Sequence, residues 1–215
     1  GVVRAWEIAR SSDRRALRGP LVVGLLTAAL VNWPVHDERR LDAMARMNVG
    51  VALAREGELA AAEEYFISAL EGHPGSAEAH NNLGNVLLAL GLSREAVPHY
   101  LEALRLEPRA ATQYNLGNAY KRGHGIGRSD AMAVYWWRKS AEQGFPMAQF
   151  NLGTALYFGR GTRLDRNEAL VWYEKAAAQG HPLAQQALEG GPAAVAPDPP
   201  PDSTAPPASS AWLPA

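Results

Sequence analysis

The 215-residue sequence predicts an all-α fold, namely a right-handed superhelical solenoid of antiparallel helix pairs, preceded by an apolar helix and followed by a disordered tail. Two observations support this prediction. Long segments in the middle of the chain repeat themselves, first at an offset of 34 residues and then at an offset of 36. Within these repeats, apolar residues recur at i, i+3, i+4 and i+7, which is the spacing of a helix with one buried face.

The composition narrows the classes of function. A formal net charge of −1 provides no global basic field for nucleic acid, so we expect no nucleic-acid partner. The chain contains no cysteine, which excludes disulfides, thiolate metal sites and cysteine nucleophiles. The first residue is Gly1 and not methionine, so we expect a fragment or processed product of a longer protein.

Residues 1–40 are predicted to form a basic segment followed by a membrane-anchor helix at about 20–35. This run, PLVVGLLTAALVNWPV, has Thr27 and Asn32 as its only polar members, and it is shorter than the ~20 residues that a bilayer-spanning helix needs. Five arginines precede the run, and Trp33 lies near its far end, where an interfacial aromatic belongs. The segment is therefore interpreted as a membrane anchor.

The excess of arginines before the apolar run places the repeats on the non-cytoplasmic, periplasmic side of a bacterial membrane, because positive residues favour the cytoplasmic side. A buried core helix or strand pair is the alternative structure for the same run. In that case the chain is a cytoplasmic, soluble scaffold whose apolar segment packs on the first repeat.

Residues 41–110 contain two copies of a helix–turn–helix repeat. The offset of 34 residues pairs small residues with small, aromatic with aromatic and proline with proline: Gly50 with Gly84, Ala62 with Ala96, Phe66 with Tyr100, and Pro74 with Pro108. Small residues let two helices approach closely, and proline ends the second helix of each copy. These positions resemble the tetratricopeptide repeat (TPR), although Arg46 and His80 stand where that family has a first-helix aromatic.

Residues 111–189 repeat at the longer offset, with 15 of 36 positions identical. An Asn-Leu-Gly triplet, a Gly-x-Gly loop, a tryptophan, and a Gln-Gly pair followed by Pro-x-Ala-Gln all recur in register. This pattern resembles the Sel-one-like repeat, a relative of the TPR with a longer loop between its helices. We predict two such repeats and a short capping helix over Ala184 to Leu188.

The loop KRGHGIGRSD, residues 121–130, raises the question of phosphate binding, because backbone N–H groups in glycine-rich turns bind anions. Its glycine spacing fits neither the Walker loop nor the Rossmann turn, and its first two glycines recur as Gly159 and Gly161. We therefore predict a helix-hairpin joint, in which Gly123 and Gly159 cap the preceding helix. The next helix is then capped by Ser129 or Asp130 in one repeat and by Asp165 in the other.

No residue in the chain is predicted to be catalytic, to bind a cofactor or to bind a metal. The six histidines have no metal-ligand spacing and are expected to be exposed polar residues. The carboxylates lie on predicted helix exteriors, and no G-x-S-x-G is present. Trp136, Trp137, Trp172 and Tyr173 are expected to pack between repeats. We predict neither an enzyme nor a small-molecule substrate.

The first helices of the repeats should line a concave groove, and residues flanking each Leu-Gly pair should face it. The candidate groove residues are Asn81, Asn85, Tyr114, Asn118, Lys121, Arg122, Phe150, Thr154 and Tyr157. Amides can pair with a peptide backbone, a cation with a carboxylate, and aromatics with apolar side chains. We therefore predict a protein-interaction scaffold that binds a peptide or protein partner; ordinary solvated residues are the alternative.

The resemblance to TPR carboxylate-clamp proteins covers this groove in part. Asn85 and Asn118 match the asparagines of the clamp, whereas Met47 and Val51 stand at the corresponding positions of the first repeat. The match implies that a carboxylate-bearing peptide is one class of partner.

The two ends of the chain complete the sequence predictions. The basic stretch, the run ending in VNWP and the repeats behind it loosely resemble the end of bacterial membrane-embedded glycosyltransferases with C-terminal repeats. This resemblance implies an alternative, in which the chain is the repeat region of a larger bacterial membrane enzyme. Residues 190–215 are rich in proline, alanine and serine, and we predict that they are disordered.

Overall fold

The computed structural model describes residues 38–192, and within this range it contains nine α-helices and no strand. The helices are α1 Glu38–Glu56, α2 Leu59–Gly72, α3 Ala77–Ala89, α4 Ser93–Leu106, α5 Ala110–Arg122, α6 Asp130–Glu142, α7 Pro146–Phe158, α8 Arg166–Ala178 and α9 Pro182–Gly190. The all-α prediction is confirmed for these residues. None of the helices in this part of the chain is long and apolar enough to cross a membrane.

Two sequence predictions fall outside the described residues. The proposed membrane anchor at 20–35, on which the resemblance to a membrane enzyme also depends, lies entirely before residue 38. The predicted tail at 190–215 lies almost entirely after residue 192.

The helices from Asp42 onward belong to one unit, in which each helix packs against the next along the chain. We call α1–α2, α3–α4, α5–α6 and α7–α8 repeats 1 to 4, and the members of each pair its first and second helix. The second helix of each repeat packs against the first helix of the next, and α9 packs against α8. Burial of one face of every helix against its neighbours explains the helical spacing of the apolar residues.

A glycine of the first helix meets an aromatic ring of the second helix in every repeat. The pairs are Gly50 with Phe66, Gly84 with Tyr100, Gly117 with Trp137, and Gly153 with Tyr173. A Cβ atom on Gly84 would lie 2.7 Å from Cε1 of Tyr100, and one on Gly117 would lie 2.6 Å from Cδ1 of Trp137. These rings are buried, so a glycine is needed wherever the two helices approach this closely.

The predicted hairpin joint is confirmed by the caps of the helices on either side. Gly123 and Gly159 are left-handed C-caps with φ of 74° and 68°. The hydroxyl oxygen of Ser129 accepts a hydrogen bond from the Met132 N–H at 3.2 Å, and Oδ1 of Asp165 accepts one from the Glu168 N–H at 2.9 Å. The glycine-rich loop therefore ends one helix and begins the next.

The second glycine of each loop lies against the preceding repeat. Gly125 has φ of 71° and Gly161 has φ of 69°. A Cβ atom on Gly125 would overlap the Ser93 carbonyl group at the start of α4, and one on Gly161 would overlap the Asp130 carbonyl group at the start of α6. The loop is thus a contact between repeats as well as a connection within one.

We predict that Gly117→Ala lowers the free energy of unfolding by about 1–2 kcal/mol. A Cβ atom this close to the buried Trp137 ring has an overpacking cost of about 2–3 kcal/mol, the upper part of the usual range, and the higher helix propensity of alanine offsets about 1 kcal/mol of it. Urea unfolding followed by circular dichroism measures the change. The matched control is Gly127→Ala, because a Cβ atom on Gly127 would have no neighbour within 4 Å and its φ lies outside the left-handed region. Equal stability of Gly117→Ala and Gly127→Ala would contradict the close approach.

We also predict that Gly125→Ala is more destabilising than Gly144→Ala. Both glycines have positive φ, so both substitutions incur about 1–2 kcal/mol of backbone strain. Only Gly125 also contacts backbone, which adds about 1–3 kcal/mol, whereas Gly144 faces open space. Comparing the two thermal midpoints tests the contact, and identical midpoints would show that the loop does not pack on α4.

Candidate functional site

Asparagine side chains link the first helices of consecutive repeats. Nδ2 of Asn115 donates to Oδ1 of Asn85 at 2.8 Å and to Oδ1 of Asn81 at 3.1 Å. One repeat further on, Nδ2 of Asn151 donates to Oδ1 of Asn118 at 3.4 Å. We call these five residues the asparagine ladder. Because it joins α3, α5 and α7, the ladder lies on the face where the sequence predicts a groove.

Side chains of the second helices donate hydrogen bonds to two of the ladder amides. The Tyr100 hydroxyl donates to Oδ1 of Asn85 at 2.9 Å, and Nε1 of Trp137 donates to Oδ1 of Asn118 at 3.1 Å. An indole N–H can only donate, so the oxygen of Asn118 must face Trp137. Burial raises the pKa of the Tyr100 hydroxyl above its ordinary value, which keeps that donor protonated.

This arrangement leaves the amide N–H donors of Asn85 and Asn118 available. Each of the two oxygens already accepts two hydrogen bonds, which uses both of its lone pairs. The Nδ2 atoms of the same side chains donate to no residue within 38–192. Asn85 is exposed and Asn118 is half-buried. The ladder therefore presents oriented N–H groups to a ligand.

The fourth repeat replaces the ladder asparagine with Thr154. Its hydroxyl accepts from the Tyr173 hydroxyl at 3.1 Å and donates to the Phe150 carbonyl oxygen at 2.9 Å. Phe150 is only 7% exposed and stacks on the His181 ring at a centroid distance of 4.8 Å. Thr154 therefore links the two helices of this repeat, and Phe150 packs against the residue that caps α9.

The two predicted groove tyrosines are half-buried and each packs on a neighbour. The Tyr114 ring centroid is 5.2 Å from that of Phe145. The Tyr157 ring lies against Phe158, and the Arg166 guanidinium carbon is 5.2 Å from its centroid. Each tyrosine thus offers part of a ring to solvent while the rest is held in place.

The two cations at the end of α5 differ in their surroundings. Nζ of Lys121 lies 3.3 Å from Oδ1 of Asp130, which begins the second helix of the same repeat. Arg122, the last residue of α5, is exposed. Arg122 is therefore the more accessible cation on this part of the surface.

Sequence reasoning missed two members of the ladder, Asn115 and Asn151. A signal for them was present, since an asparagine stands two residues before the contact glycine in all four repeats: Asn48, Asn82, Asn115 and Asn151. The ladder does not reach repeat 1, because Val51 stands where Asn85 and Asn118 stand in the later repeats.

Comparisons with known proteins identify the repeats. The Sel1 repeat family model matches residues 110–145 and 146–181, and a tetratricopeptide repeat model matches residues 41–109. The crystal structure of a Sel1 repeat protein from Oxalobacter formigenes is 31% identical, with a TM-score of 0.50, covering 54% of this chain and 90% of that one. The chain belongs to the Sel1 repeat family. The TPR and Sel-one-like resemblances are both confirmed.

Other solved structures share the fold of this Sel1 repeat protein. One is c5321, a protective antigen of uropathogenic Escherichia coli strains with an SLR fold, at 28% identity and a TM-score of 0.57. That similarity covers 69% of this chain and only 34% of c5321, so the chain spans about a third of its length. The TPR protein YrrB is 20% identical with a TM-score of 0.50, covering 77% of this chain and 84% of YrrB. No curated protein matches significantly.

The histidines of this Sel1 repeat protein differ from expectation. Five of the six lie within the described residues, and all five are half-buried rather than exposed: His73, His80, His99, His124 and His181. The prediction was wrong because it judged each histidine on its own helix or turn. Residues distant in sequence cover three of these positions, since His80 stacks on His99 and His181 stacks on Phe150.

His181 caps the last helix next to the candidate surface. Its Nδ1 accepts a hydrogen bond from the Ala184 N–H at 3.3 Å, so Nδ1 must be unprotonated. Burial against its neighbours lowers the pKa of His181 from its ordinary value of 6.5. Protonation would remove the cap and place a positive charge at a helix N-terminus, which is unfavourable.

We predict that acidification below pH 6.5 destabilises α9 through His181. The folded state holds the proton less tightly than the unfolded state, so this contribution is present above pH 6.5 and is lost as pH falls toward the lowered pKa. His181→Asn keeps a capping side chain that does not titrate. The measurement is the difference in thermal midpoint between wild type and His181→Asn from pH 7.5 to about pH 5. A difference that does not change with pH would contradict the assignment.

Proposed function

We propose that this chain is a non-catalytic scaffold that binds an extended segment of a partner protein along the asparagine ladder. The observation that carries the proposal is the orientation of Asn85 and Asn118. Their oxygens are held by Tyr100, Trp137 and the neighbouring asparagines, so their N–H donors are the groups left for a ligand.

An extended peptide backbone is the ligand class that this surface fits. It offers carbonyl oxygens at regular intervals, and each oxygen can accept from an amide N–H. The ladder repeats its donors from α3 to α5, so two carbonyl groups along one peptide can meet equivalent donors. Fixing these amides in the free protein lowers the entropy that binding loses.

The residues around the ladder add side-chain contacts to backbone recognition. The accessible parts of Tyr114 and Tyr157 give apolar surface for partner side chains. The exposed Arg122 can pair with a carboxylate of the partner, whereas Lys121 already contacts Asp130. We therefore expect partners with an apolar residue and an acidic group near the bound segment.

The family supports the general class of function. TPR and Sel1 repeats are typical of protein–protein interaction scaffolds and are generally non-catalytic. YrrB is described as having an unusual peptide-binding site. At 20% identity that protein supports only the fold, so the proposal for this chain rests on its own asparagines.

We further propose that residues 20–35 attach the scaffold to a membrane, with the repeats on the periplasmic side. The sequence of this run and its flanking arginines are the support for this part of the proposal. Fractionation of the expressed chain tests it. Recovery in the membrane fraction that requires detergent is expected, and recovery in the soluble fraction without detergent would reject it.

We predict that Asn85→Asp combined with Asn118→Asp weakens peptide binding about 10-fold to 100-fold, because it removes two hydrogen bonds. Aspartate keeps an acceptor for Tyr100, Trp137 and the neighbouring asparagines but has no N–H donor. Peptides are first selected on the wild-type repeats from a displayed random library. Fluorescence anisotropy then gives the Kd of a selected peptide for each variant.

The matched control is Asn167→Asp, an exposed position at the start of α8 that makes the same chemical change away from the ladder. We expect this variant to bind like wild type. Equal weakening by Asn167→Asp would indicate an effect of charge alone. Unchanged binding by the double variant, with its thermal midpoint retained, would reject the ladder as the binding site.

A further inference from the structure

A pocket of about 420 Å³ opens between repeat 1 and repeat 2, on a different face from the asparagine ladder. Its floor is formed by Leu83 and Leu87 of α3, which are 2% and 3% exposed. Its walls come from the second helices α2 and α4. On α3 the floor residues lie on a different side of the helix from Asn81 and Asn85, so the pocket and the ladder are separate.

Between repeats 2 and 3, a tryptophan occupies the position that corresponds to this pocket. Aligning the second helices on their glycine-contacting aromatics makes Trp136 the equivalent of His99, which lines the pocket. Trp136 packs against the cluster that contains Leu116, as does Tyr120. Leu116 and Tyr120 are the equivalents of the floor residues at the first interface. A histidine is smaller than an indole, so the first interface keeps a space that the second one fills.

The third interface, between repeats 3 and 4, also has a tryptophan at this place, and a cation lies beside it. Trp172, the next equivalent of His99, is buried in the cluster that contains Leu152 and Leu156. Its Nε1 donates to Oε1 of Glu168 at 3.0 Å, and NH1 of Arg138 donates to the same oxygen at 2.6 Å. At this interface the chain therefore binds its own guanidinium group to a glutamate.

The first interface has the glutamate without the arginine. Glu95 of α4 is the equivalent of Glu168, and Ile67 stands at the position of Arg138. The Glu95 carboxylate makes no hydrogen bond or ion pair with another residue in 38–192. Glu63 and Glu71 also line the pocket, and none of the lining residues is lysine or arginine. The pocket thus carries unneutralised carboxylates beside an apolar floor.

A histidine pair completes the wall of the pocket. Nε2 of His80 lies 3.1 Å from the Pro74 carbonyl oxygen, which can only accept, so Nε2 carries a proton. Nδ1 of neutral His80 then accepts from Nδ1 of His99 at 3.0 Å, because one proton must lie between the two nitrogens. Neutral His99 therefore has an unprotonated Nε2, which is an acceptor. Burial, and then the nearby His80, lower the pKa of His99 and favour this neutral form.

We propose that this pocket binds an arginine side chain supplied by a partner protein. The aliphatic stem lies on Leu83 and Leu87, and the guanidinium group pairs with Glu95 and donates to His99. Arg138 and Glu168 show the same chemistry within the chain, where the cation is internal. This site goes beyond the proposed function, since it recognises a side chain and lies apart from the asparagine ladder.

The test uses Nα-acetyl-arginine methylamide as the probe, with the citrulline analogue as a neutral control of the same shape. Binding is followed by NMR of the His80 and His99 rings and of the Leu83 and Leu87 methyl groups. A ligand of this size in a small pocket is expected to bind with Kd of about 1 mM. We expect the citrulline probe to bind at least about tenfold more weakly, because it lacks the charge.

Two variants separate the pocket from unspecific binding. His99→Trp copies the residue of the two later interfaces, so it should raise the thermal midpoint by filling the space and abolish the shifts. Glu95→Gln keeps the shape and should weaken the arginine probe about tenfold. The proposal is overturned if the arginine probe causes no shifts, if citrulline binds equally well, or if Glu95→Gln binds like wild type.

Discussion

The close approach of the two helices in each repeat is the constraint on which the rest of the structure depends. A glycine on the first helix admits an aromatic ring from the second, and the ring then lies across the glycine. The residue directly after that glycine is Asn85, Asn118 or Thr154 in repeats 2 to 4. The polar end of the ring reaches this residue, so the contact that packs the repeat also orients the candidate binding group.

The candidate surface is rigid because its groups are bonded in two directions. The oxygens of Asn85 and Asn118 each accept from an aromatic donor of the same repeat and from an asparagine on the first helix of the next repeat. Glutamines add further links, since Nε2 of Gln143 donates to Gln113 and Nε2 of Gln179 donates to Gln149, each at 2.8 Å. A surface assembled in this way keeps its donor pattern in the absence of a ligand.

The sequence was sufficient for the features that depend on neighbouring residues along the chain. The offsets revealed the helix pairs, and the caps at Gly123 and Ser129 followed from local backbone preferences. Contacts that depend on how the helices pack against one another could not be predicted from the sequence in the same way. Asn115 and Asn85 are 30 residues apart on consecutive repeats, and His80 and His99 are 19 apart on the two helices of one repeat, so both contacts require the packed helices. The half-burial of His80, His99 and His181 has the same origin.

The loops at Gly125 and Gly161 both contact the preceding repeat. Each loop rests on the start of a second helix that belongs to the repeat before it in the chain. A loop can therefore make this contact only when the start of that upstream helix is already in place. Synthesis from the N-terminus supplies the repeats in this order. In the Sel1 repeats at residues 110–181, each loop contact can therefore form as soon as its own repeat is made, because the helix that the loop touches precedes it in the chain.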